Sequence, residues 1–509
     1  MTKKTNQMML NVIASVVVFI VQIVIDFWLT PFVIAKLGEQ AYGFISMLSN
    51  FTQYAALLTV AINSMASRFI SYEYNKGNEE KAKVYFASVF WINALMSIVI
   101  LIASVAIVYR LEFLVHIDSV YVRDVKIAFL LSFINMIIGC LSTCFTATTF
   151  VTNRMDFHAY IQIFSNLLKV VLVVGSFLIL RPHIFYLSGS YLICSLTVMF
   201  VYIFLQRKML SGFCLNFKYV SFETLIPLLK SGVWILISDL SSILLNGMDV
   251  LLANIFISDI AMSRLAVSKQ IPTAVGSLLG VVSGVFTASF TLKVAGNQRD
   301  KLIEEVKDTI KWLGFFLTVP FAGIIIFGRD FLTLWLPQEL CESDIINQIY
   351  TLMMLTLANV IINAYMYSLH SLLIALNKVR FYSLLILVCS FISIIATVLL
   401  LRFSSLGVYA IAGTSTVVLC LVNMFVVPIY AARITQLGTF GFFSTIFKSH
   451  GFLLILTAVF YVVHQAICIE NWLAFFITIV LVGVAGYAFC FCFMLDRDGR
   501  RKIIKSVLK

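Results

Sequence analysis

The chain has 509 residues, of which 61% are hydrophobic and only 12% are charged, and its formal net charge is +12. Soluble domains contain about a quarter charged residues, so this composition excludes a soluble globular protein and indicates a polytopic membrane protein. The positive residues fall largely in loops next to apolar segments, where they signal topology, so the charge is no argument for binding nucleic acid.

Apolar segments long enough to cross a membrane recur from residue 10 to residue 495. None shows the period-2 alternation of a membrane barrel strand, and each is long enough for a spanning helix, which needs about 20 residues. We therefore predict an all-α polytopic membrane protein with about 14 transmembrane helices. The predicted spans cover residues 10–35, 41–67, 84–108, 127–152, 157–180, 184–205, 226–257, 265–291, 309–328, 346–374, 381–401, 407–430, 450–468 and 473–495.

The distribution of lysine and arginine predicts the orientation, because cytoplasmic flanks carry an excess of these residues. With the N-terminus inside, 26 of them flank the cytoplasmic side and seven flank the outer side. We therefore expect both termini to be cytoplasmic.

Three matches at nearly equal spacing suggest that spans 1–6 and spans 7–12 are copies of one unit. Because six is even, the copies would share one orientation and form two parallel lobes with a transport cavity between them. The spacing is 219 for residues 77–78 and 296–297, 224 for Asn153 and Asn377, and 223 for Asp26 and Asp249.

The duplication predicts an organisation in three parts. Residues 1–212 form an N-terminal lobe, residues 213–435 form a C-terminal lobe, and residues 436–509 hold spans 13 and 14 with a basic cytoplasmic tail. The last two spans carry almost no charge, so we expect them to be peripheral.

Acidic side chains inside the spans are candidates for ion coupling or gating. A charged residue at the centre of a bilayer costs roughly 2.5–3.5 kcal/mol, so such a side chain should face protein or water. Asp239, Asn246 and Asp249 of span 7 are spaced to share one helical face, and Asp26 of span 1 is the counterpart of Asp249. Simple pairing of these acids with a basic side chain in the bundle stays open.

The expected substrate-binding residues are cations and amides within the spans. Lys269 has the alternative of extending to the interface, and each amide has the alternative of bonding helix to helix. The cations are Lys169, Arg264 and Lys269, and the amides are Asn166, Asn246, Asn359 and Asn363.

Span 8 also carries Gly276, Gly280 and Gly284 at four-residue spacing. This pattern is typical of a close helix-packing face, but the same face could line a cavity. Both interpretations stay open.

No motif of an enzyme is present. The sequence lacks a phosphate-binding GxxxxGK[ST], a nucleophile elbow and HExxH, and its ten cysteines form no CxxC pair. We predict no catalytic residue, no metal site and no cofactor. Transport would draw on an H⁺ or Na⁺ gradient, the membrane potential or consumption of the product.

Four segments resemble the polysaccharide transport branch of the multidrug/oligosaccharidyl-lipid/polysaccharide exporter superfamily, the Wzx-type flippases. They are LTPFVIAKLGEQAYGFISML, NGMDVLLANIFISDIAMSRLAVSKQIP, FGRDFLTLWLP and ALNKVRF. The chain departs from that branch at Arg264, where a Gly-Tyr pair is common.

The resemblance implies a MATE-like fold and an alternating-access flippase in the bacterial cytoplasmic membrane. Such a protein moves an undecaprenyl-diphosphate-linked oligosaccharide from the cytoplasmic to the outer leaflet for surface polysaccharide synthesis. Its expected partners are membrane lipids, a polysaccharide polymerase and other assembly proteins.

Two other functions are weighed against this one. A drug or cation exporter of the same superfamily needs an acidic, aromatic cavity without the competing Lys169 and Lys269. A membrane glycosyltransferase, such as a glycan polymerase, normally needs a large extracytoplasmic loop, and the predicted outer loops are short.

Overall fold

The computed structural model describes residues 3–497 and 499–501, so part of the predicted basic tail, residues 498 and 502–509, lies outside the described residues. The described chain consists of helices joined by short turns. They are α1 Lys3–Leu37, α2 Glu39–Asn75, α3 Glu79–Tyr109, α4 Leu111–Leu114, α5 Val122–Val151, α6 Met155–Ile179, α7 Ile184–Met209, α8 Phe222–Ser242, α9 Met248–Phe256, α10 Asp259–Ser268, α11 Gln270–Ala295, α12 Arg299–Trp335, α13 Ser343–Ala375, α14 Val379–Phe403, α15 Val408–Leu421, α16 Val427–Ile434, α17 Phe443–His464 and α18 Trp472–Phe493.

The all-α membrane fold is confirmed. Within the described residues, thirteen segments are long and apolar enough to cross a membrane. The helix of the predicted span 8 is interrupted, because α10 ends at Ser268 and α11 begins at Gln270. The long helix α11 therefore begins later than the predicted residue 265. Pro272 is the third residue of α11, a position where its missing N–H costs no helical hydrogen bond.

The predicted span 7 is one helical path interrupted by a wide turn. Residues Ile243–Gly247 form a π-helical segment between α8 and α9. A π-turn accommodates an extra residue, so positions before and after it no longer follow a single 3.6-residue repeat. A similar segment, Val422–Val426, joins α15 to α16.

The chain packs into two compact units, Met1–Ala266 and Val267–Lys509. The first unit includes α8 and α9, which pack against α2, and the linker before them is bound to α3. Trp91 donates from its indole N–H to the carbonyl of Leu215 at 3.1 Å, and the N–H of Ser221 donates to the hydroxyl of Ser88 at 3.0 Å. The lobe boundary at residue 212, which concerns sequence duplication, stays a prediction.

In the first unit, α2, α3, α5 and α7 enclose an apolar core that is rich in aromatic residues. Phe86 packs edge-on against both Phe145 and Phe213. Helix α8 crosses α2 at Gly232. A β-carbon there would overlap the backbone carbonyl of Ala61, so the two helices meet at their main chains.

In the second unit, α12 is the central helix, packed against α13, α17 and α18. Spans 13 and 14 are therefore bound along α12. At one end His464 bonds Asp330 at 2.8 Å, and at the other Lys311 lies 3.4 Å from Asp496. Between them, a β-carbon at Gly314 would lie 2.5 Å from the Ser449 hydroxyl.

The predicted cytoplasmic turns after spans 2, 4, 8 and 10 share one geometry. Gly77, Asn153, Asn297 and Asn377 adopt φ values of 90°, 54°, 52° and 54°. In each turn the next N–H bonds a carbonyl five residues back, which is the Schellman helix end. The structure therefore pairs Gly77 with Asn297, one residue away from the predicted pairing of 77–78 with 296–297, while Asn153 and Asn377 coincide as predicted.

Candidate functional site

A groove lined mainly by residues with polar side chains follows the half of α2 that is predicted to be cytoplasmic. Its volume is about 890 Å³, within the range of 300–1,000 Å³ that is typical of ligand sites. No carboxylate is among its lining residues. They are Asn63, Ser64, Ser67, Arg68, Ser71, Tyr72, Asn75, Lys76 and Phe150.

The groove offers cations, hydrogen-bonding groups and aromatic surface. Arg68 is exposed on α2, and the Lys76 ammonium lies 5.7 Å from the centre of the Tyr72 ring. A guanidinium suits phosphate or carboxylate oxygens, whereas hydroxyl and amide groups suit sugar hydroxyls. The groove is therefore equipped for a ligand with both an anionic and a sugar part.

Sequence reasoning missed this groove because the predicted span 2 ends at residue 67, one residue before Arg68. The signal was present, since Asn63, Ser67, Ser71 and Asn75 recur every four residues and share one helical face. The helix continues to Asn75 and carries that polar face beyond the apolar part of the span.

Two predicted residues with different expected roles meet in the first unit. The Lys169 ammonium lies 3.2 Å from a carboxylate oxygen of Asp26, joining α6 to α1. The lysine side chain is 15% exposed and that of the aspartate 41%. Lys169 also lies 5.2 Å from the centre of the Tyr191 ring. Its charge is thus largely satisfied within the protein.

Arg264, predicted as a substrate cation, is also paired. Its guanidinium donates to the carboxylate of Glu39 at 3.0 Å, and the adjacent Ser263 hydroxyl donates to the Glu39 carbonyl at 2.5 Å. These bonds hold α10 against the first turn of α2, at the predicted outer end of the span.

The two acids of span 7 do not share one face, because the π-segment, which contains Asn246, lies between them. Asp239 is half-buried on α8, Asn246 is exposed, and Asp249 is buried with 4% exposure. The Asn246 amide donates to the carbonyl of Ser242 at 3.3 Å. The expectation of a single face is therefore wrong beyond residue 243.

The repeat-related acids also have different surroundings. Asp26 is partly exposed and paired with Lys169, whereas Asp249 is buried near Tyr54, whose hydroxyl donates to the carbonyl of Gly247 at 2.7 Å. Asn166 is half-buried on α6, one turn before Lys169.

In the second unit, Lys269 is half-buried where α11 begins. On α13, His370 bonds the side-chain oxygen of the predicted residue Asn363 at 3.2 Å. Tyr367 donates to the carbonyl of Gly276 at 3.4 Å. Asn359 is half-buried, and its buried side-chain oxygen has no hydrogen-bond partner among the described residues.

The glycine face of α11 is open at the two positions that the structure describes fully. No atom of the described chain lies within 4 Å of a β-carbon placed on Gly276 or Gly280. Gly284 lies outside the described side chains. Among the described residues, no other helix packs closely against Gly276 or Gly280.

Two groups in turns outside the groove have shifted pKa values. The pKa of Arg154 is raised by its hydrogen bond to Asp156. The pKa of Asp496 is lowered by the N–H of Gly499 and by the nearby Lys311. In the described part of the chain, no group of three or more His, Cys, Asp or Glu side chains could hold a metal ion.

Comparison with known proteins agrees with this architecture. The family model MatE matches residues 13–174. The uncharacterized membrane protein EpsK of Bacillus subtilis (strain 168) is 23% identical over 500 residues, which covers 98% of each chain.

Solved structures share the fold. An inward-facing multidrug resistance MATE family transporter of the MOP superfamily has a TM-score of 0.69 at 10% identity, covering 84% of this chain and 98% of that one. The Lipid II flippase MurJ, in an inward closed conformation, has a TM-score of 0.67 at 15% identity, covering 94% and 97%. The chain therefore shares the fold of these two proteins, and the MatE match over residues 13–174 agrees with that fold.

Proposed function

We propose that this MATE-like transporter is a Wzx-type flippase. Its substrate would be an undecaprenyl-diphosphate-linked oligosaccharide, moved from the cytoplasmic to the outer leaflet by alternating access for surface polysaccharide synthesis. A likeness to a lipid flippase over 94% of the chain supports this proposal.

The observation that carries the proposal is the carboxylate-free groove on α2. It lies on the half of α2 that the charge distribution assigns to the cytoplasm, so a head group in the inner leaflet could reach it. Arg68 and Lys76 would bind the diphosphate. The hydroxyl and amide groups beside them would bind sugar hydroxyls.

The same groove argues against a drug or cation exporter. A cationic substrate needs an acidic partner in a site of low dielectric constant, and no Asp or Glu lines this groove. Like charge on Arg68 and Lys76 would repel such a substrate.

The groove changes the roles proposed for the other cations. Because Asp26 pairs with Lys169 and Glu39 pairs with Arg264, these two cations would be offered to substrate only after their partners release them. Lys269 and the amides Asn166, Asn246, Asn359 and Asn363 remain proposed contacts at later stages of transport.

Coupling to H⁺ or Na⁺ is proposed to use Asp26 or Asp249, with Asp239 as the weaker candidate. Proton uptake by Asp26 would remove its attraction for Lys169 and free that cation. The test is flipping by the double variant Asp26→Asn with Asp249→Asn under an imposed gradient. Gradient-dependent flipping equal to that of the unaltered protein would contradict the proposal.

The proposed setting is the bacterial cytoplasmic membrane, with both termini in the cytoplasm. A polysaccharide polymerase and other assembly proteins would act on the product at the outer leaflet. Membrane lipids would surround the carrier's lipid tail.

The deciding experiment deletes the gene and analyses the lipid-linked glycans of the host. Intermediates retained on the cytoplasmic face support the flippase. Single unpolymerised units on the outer face would indicate a polymerase, and unchanged glycans with altered drug tolerance would indicate an exporter.

Complementation then tests the groove itself. Arg68→Gln should restore little flipping, because the groove loses its guanidinium. The matched control is Arg207→Gln, which removes an exposed cation at the end of α7, outside the groove. Equal loss with both variants would show that general charge, and not the groove, is responsible.

A further inference from the structure

A buried asparagine behind the groove has an orientation that the main chain determines. Asn93 on α3 is 1% exposed, and its amide nitrogen lies 2.9 Å from the carbonyl oxygen of Cys140. A backbone carbonyl can only accept a hydrogen bond. The atom facing it must therefore be the NH₂ group of Asn93.

The same NH₂ group determines the orientation of Asn63, which lines the groove. It lies 2.7 Å from the side-chain oxygen of Asn63. Since Asn93 supplies the hydrogen, Asn63 must accept with its oxygen, and the NH₂ group of Asn63 is directed away from Asn93. The carbonyl of Cys140 thus determines the orientation of Asn93, and Asn93 determines the orientation of Asn63 in the groove.

The arrangement is retained although it leaves an acceptor unsatisfied. The side-chain oxygen of Asn93 is buried and has no hydrogen-bond partner among the described residues. Reversing the amide would place that oxygen against the carbonyl of Cys140, which is worse because two acceptors would then face each other. Asn63 therefore keeps its oxygen directed at Asn93, and its NH₂ group is the part directed elsewhere.

We propose that Asn63 is an oxyanion donor in the groove and that Asn93 is the positioning residue that makes it one. This inference rests on the proposed function and adds the ligand chemistry of its site. Arg68, five residues further along α2, supplies the charge. The ligand group is a phosphate of the lipid carrier or a carboxylate of an acidic sugar.

The test measures binding to the full-length protein in lipid nanodiscs. Three probes separate the sources: undecaprenyl diphosphate without sugar, a glucuronate oligosaccharide without lipid, and a neutral oligosaccharide of equal length. The unaltered protein should bind one or both of the anionic probes and should bind the neutral probe more weakly.

A double-mutant cycle on the bound probe distinguishes positioning from simple structural support. Asn63→Ala should weaken binding about tenfold, the size expected when one hydrogen bond to an anion is lost. As a single substitution, Asn93→Leu should weaken binding several-fold. Added to Asn63→Ala, it should have no further effect on binding. Additive effects would overturn the role of Asn93.

Asn63→Asp gives a second measurement if Asn93→Leu fails to fold. Asn93 can still donate to one carboxylate oxygen, while the other brings negative charge to the groove. Anion binding should fall by more than tenfold at pH 7 and recover in part on acidification, as the carboxyl gains a proton. Unchanged binding at pH 7 would contradict the donor role of Asn63.

Asn135→Leu is the matched control, because it removes a partly buried amide from α5, outside the groove. It should leave binding unchanged. If the unaltered protein binds neither anionic probe, the groove assignment itself fails. If it binds an anionic probe but the two substitutions have additive effects, only the positioning role of Asn93 fails and the flippase proposal stands.

Discussion

Gly232 on α8 and Gly280 on α11 show how differently two glycines of predicted spans are used. The first lies directly against the backbone of Ala61, whereas the second has no described atom within 4 Å of an added β-carbon. The four-residue glycine pattern marked the open face, and the isolated glycine marks the packed one. Spacing alone therefore does not distinguish a packing face from an exposed one.

Gly232→Ala tests the contrast between the two glycines most directly. The new methyl group would overlap the carbonyl of Ala61, and no side chain there can move aside. We expect a loss of about 3 kcal/mol or more in the free energy of unfolding, the upper range for overpacking. Thermal unfolding of the purified variant measures it, and a midpoint equal to that of the unaltered protein would show that α2 and α8 separate readily.

Lys169→Met tests a polar contact of the same unit. It leaves Asp26 without its ion pair, and we expect a loss of about 2 kcal/mol, less than for a fully buried pair because Asp26 is 41% exposed. Adding Asp26→Asn should recover most of that loss. The measurement is the unfolding midpoint of the two variants, and a double variant no more stable than Lys169→Met would contradict the pairing.

Gly43→Ala should lower the free energy of unfolding by an intermediate amount. Gly43 lies at the other end of α2, and its nearest neighbour is a flexible side chain that can move in part. The nearest atom to the new methyl group would be the terminal carbon of Met262 at 2.7 Å, followed by the Ser263 backbone at 3.1 Å. We expect a loss of about 1 kcal/mol. Adding Met262→Ala should relieve part of the crowding, and no relief would place the conflict at the Ser263 backbone.

Gly280→Ala should have the opposite sign. Alanine favours a helix by about 1 kcal/mol relative to glycine, and no described atom opposes the methyl group. We expect the unfolding midpoint to rise slightly. A fall as large as that for Gly43→Ala would show that another helix packs on this face.

The smallest effect concerns Asp496, which joins the segment after α18 to α12. Its pKa is lowered by the Gly499 N–H and by Lys311, so the ionised form stabilises the fold. This contribution is present above the ordinary pKa of 3.8 and is lost as pH falls through the lowered pKa. Asp496→Asn should therefore lower the unfolding midpoint slightly at pH 7 and not at pH 2, as thermal unfolding at both values can show.

Much of the architecture could be predicted because the bilayer imposes it. Apolar length defined the spans, and the helix ends after spans 4 and 10 coincide at Asn153 and Asn377. The register of the turns after spans 2 and 8 could not be predicted, because either residue of a Gly-Asn pair can adopt the left-handed conformation that ends a helix.

The candidate site was predicted less completely. The cost of burying charge makes Asp26 and Lys169 candidates in the sequence, and the same cost explains why the structure pairs them. Asn63 and Asn93 are not among the amides predicted from the sequence, because the position of an amide in a span does not show which backbone carbonyl it will meet. The orientation of both amides depends on the carbonyl of Cys140. Every residue has such a carbonyl, so the sequence does not mark this one.

The sequence by itself determined that the chain is a membrane protein of many helices, because the free energy of placing each segment in lipid depends on its own composition. Only the tertiary structure decided which charges neutralise one another, which glycines are packed and which way Asn63 points. Those properties depend on contacts between residues far apart in the chain, such as Ala61 with Gly232. Helical spacing assigns a residue to a face but does not specify what that face meets.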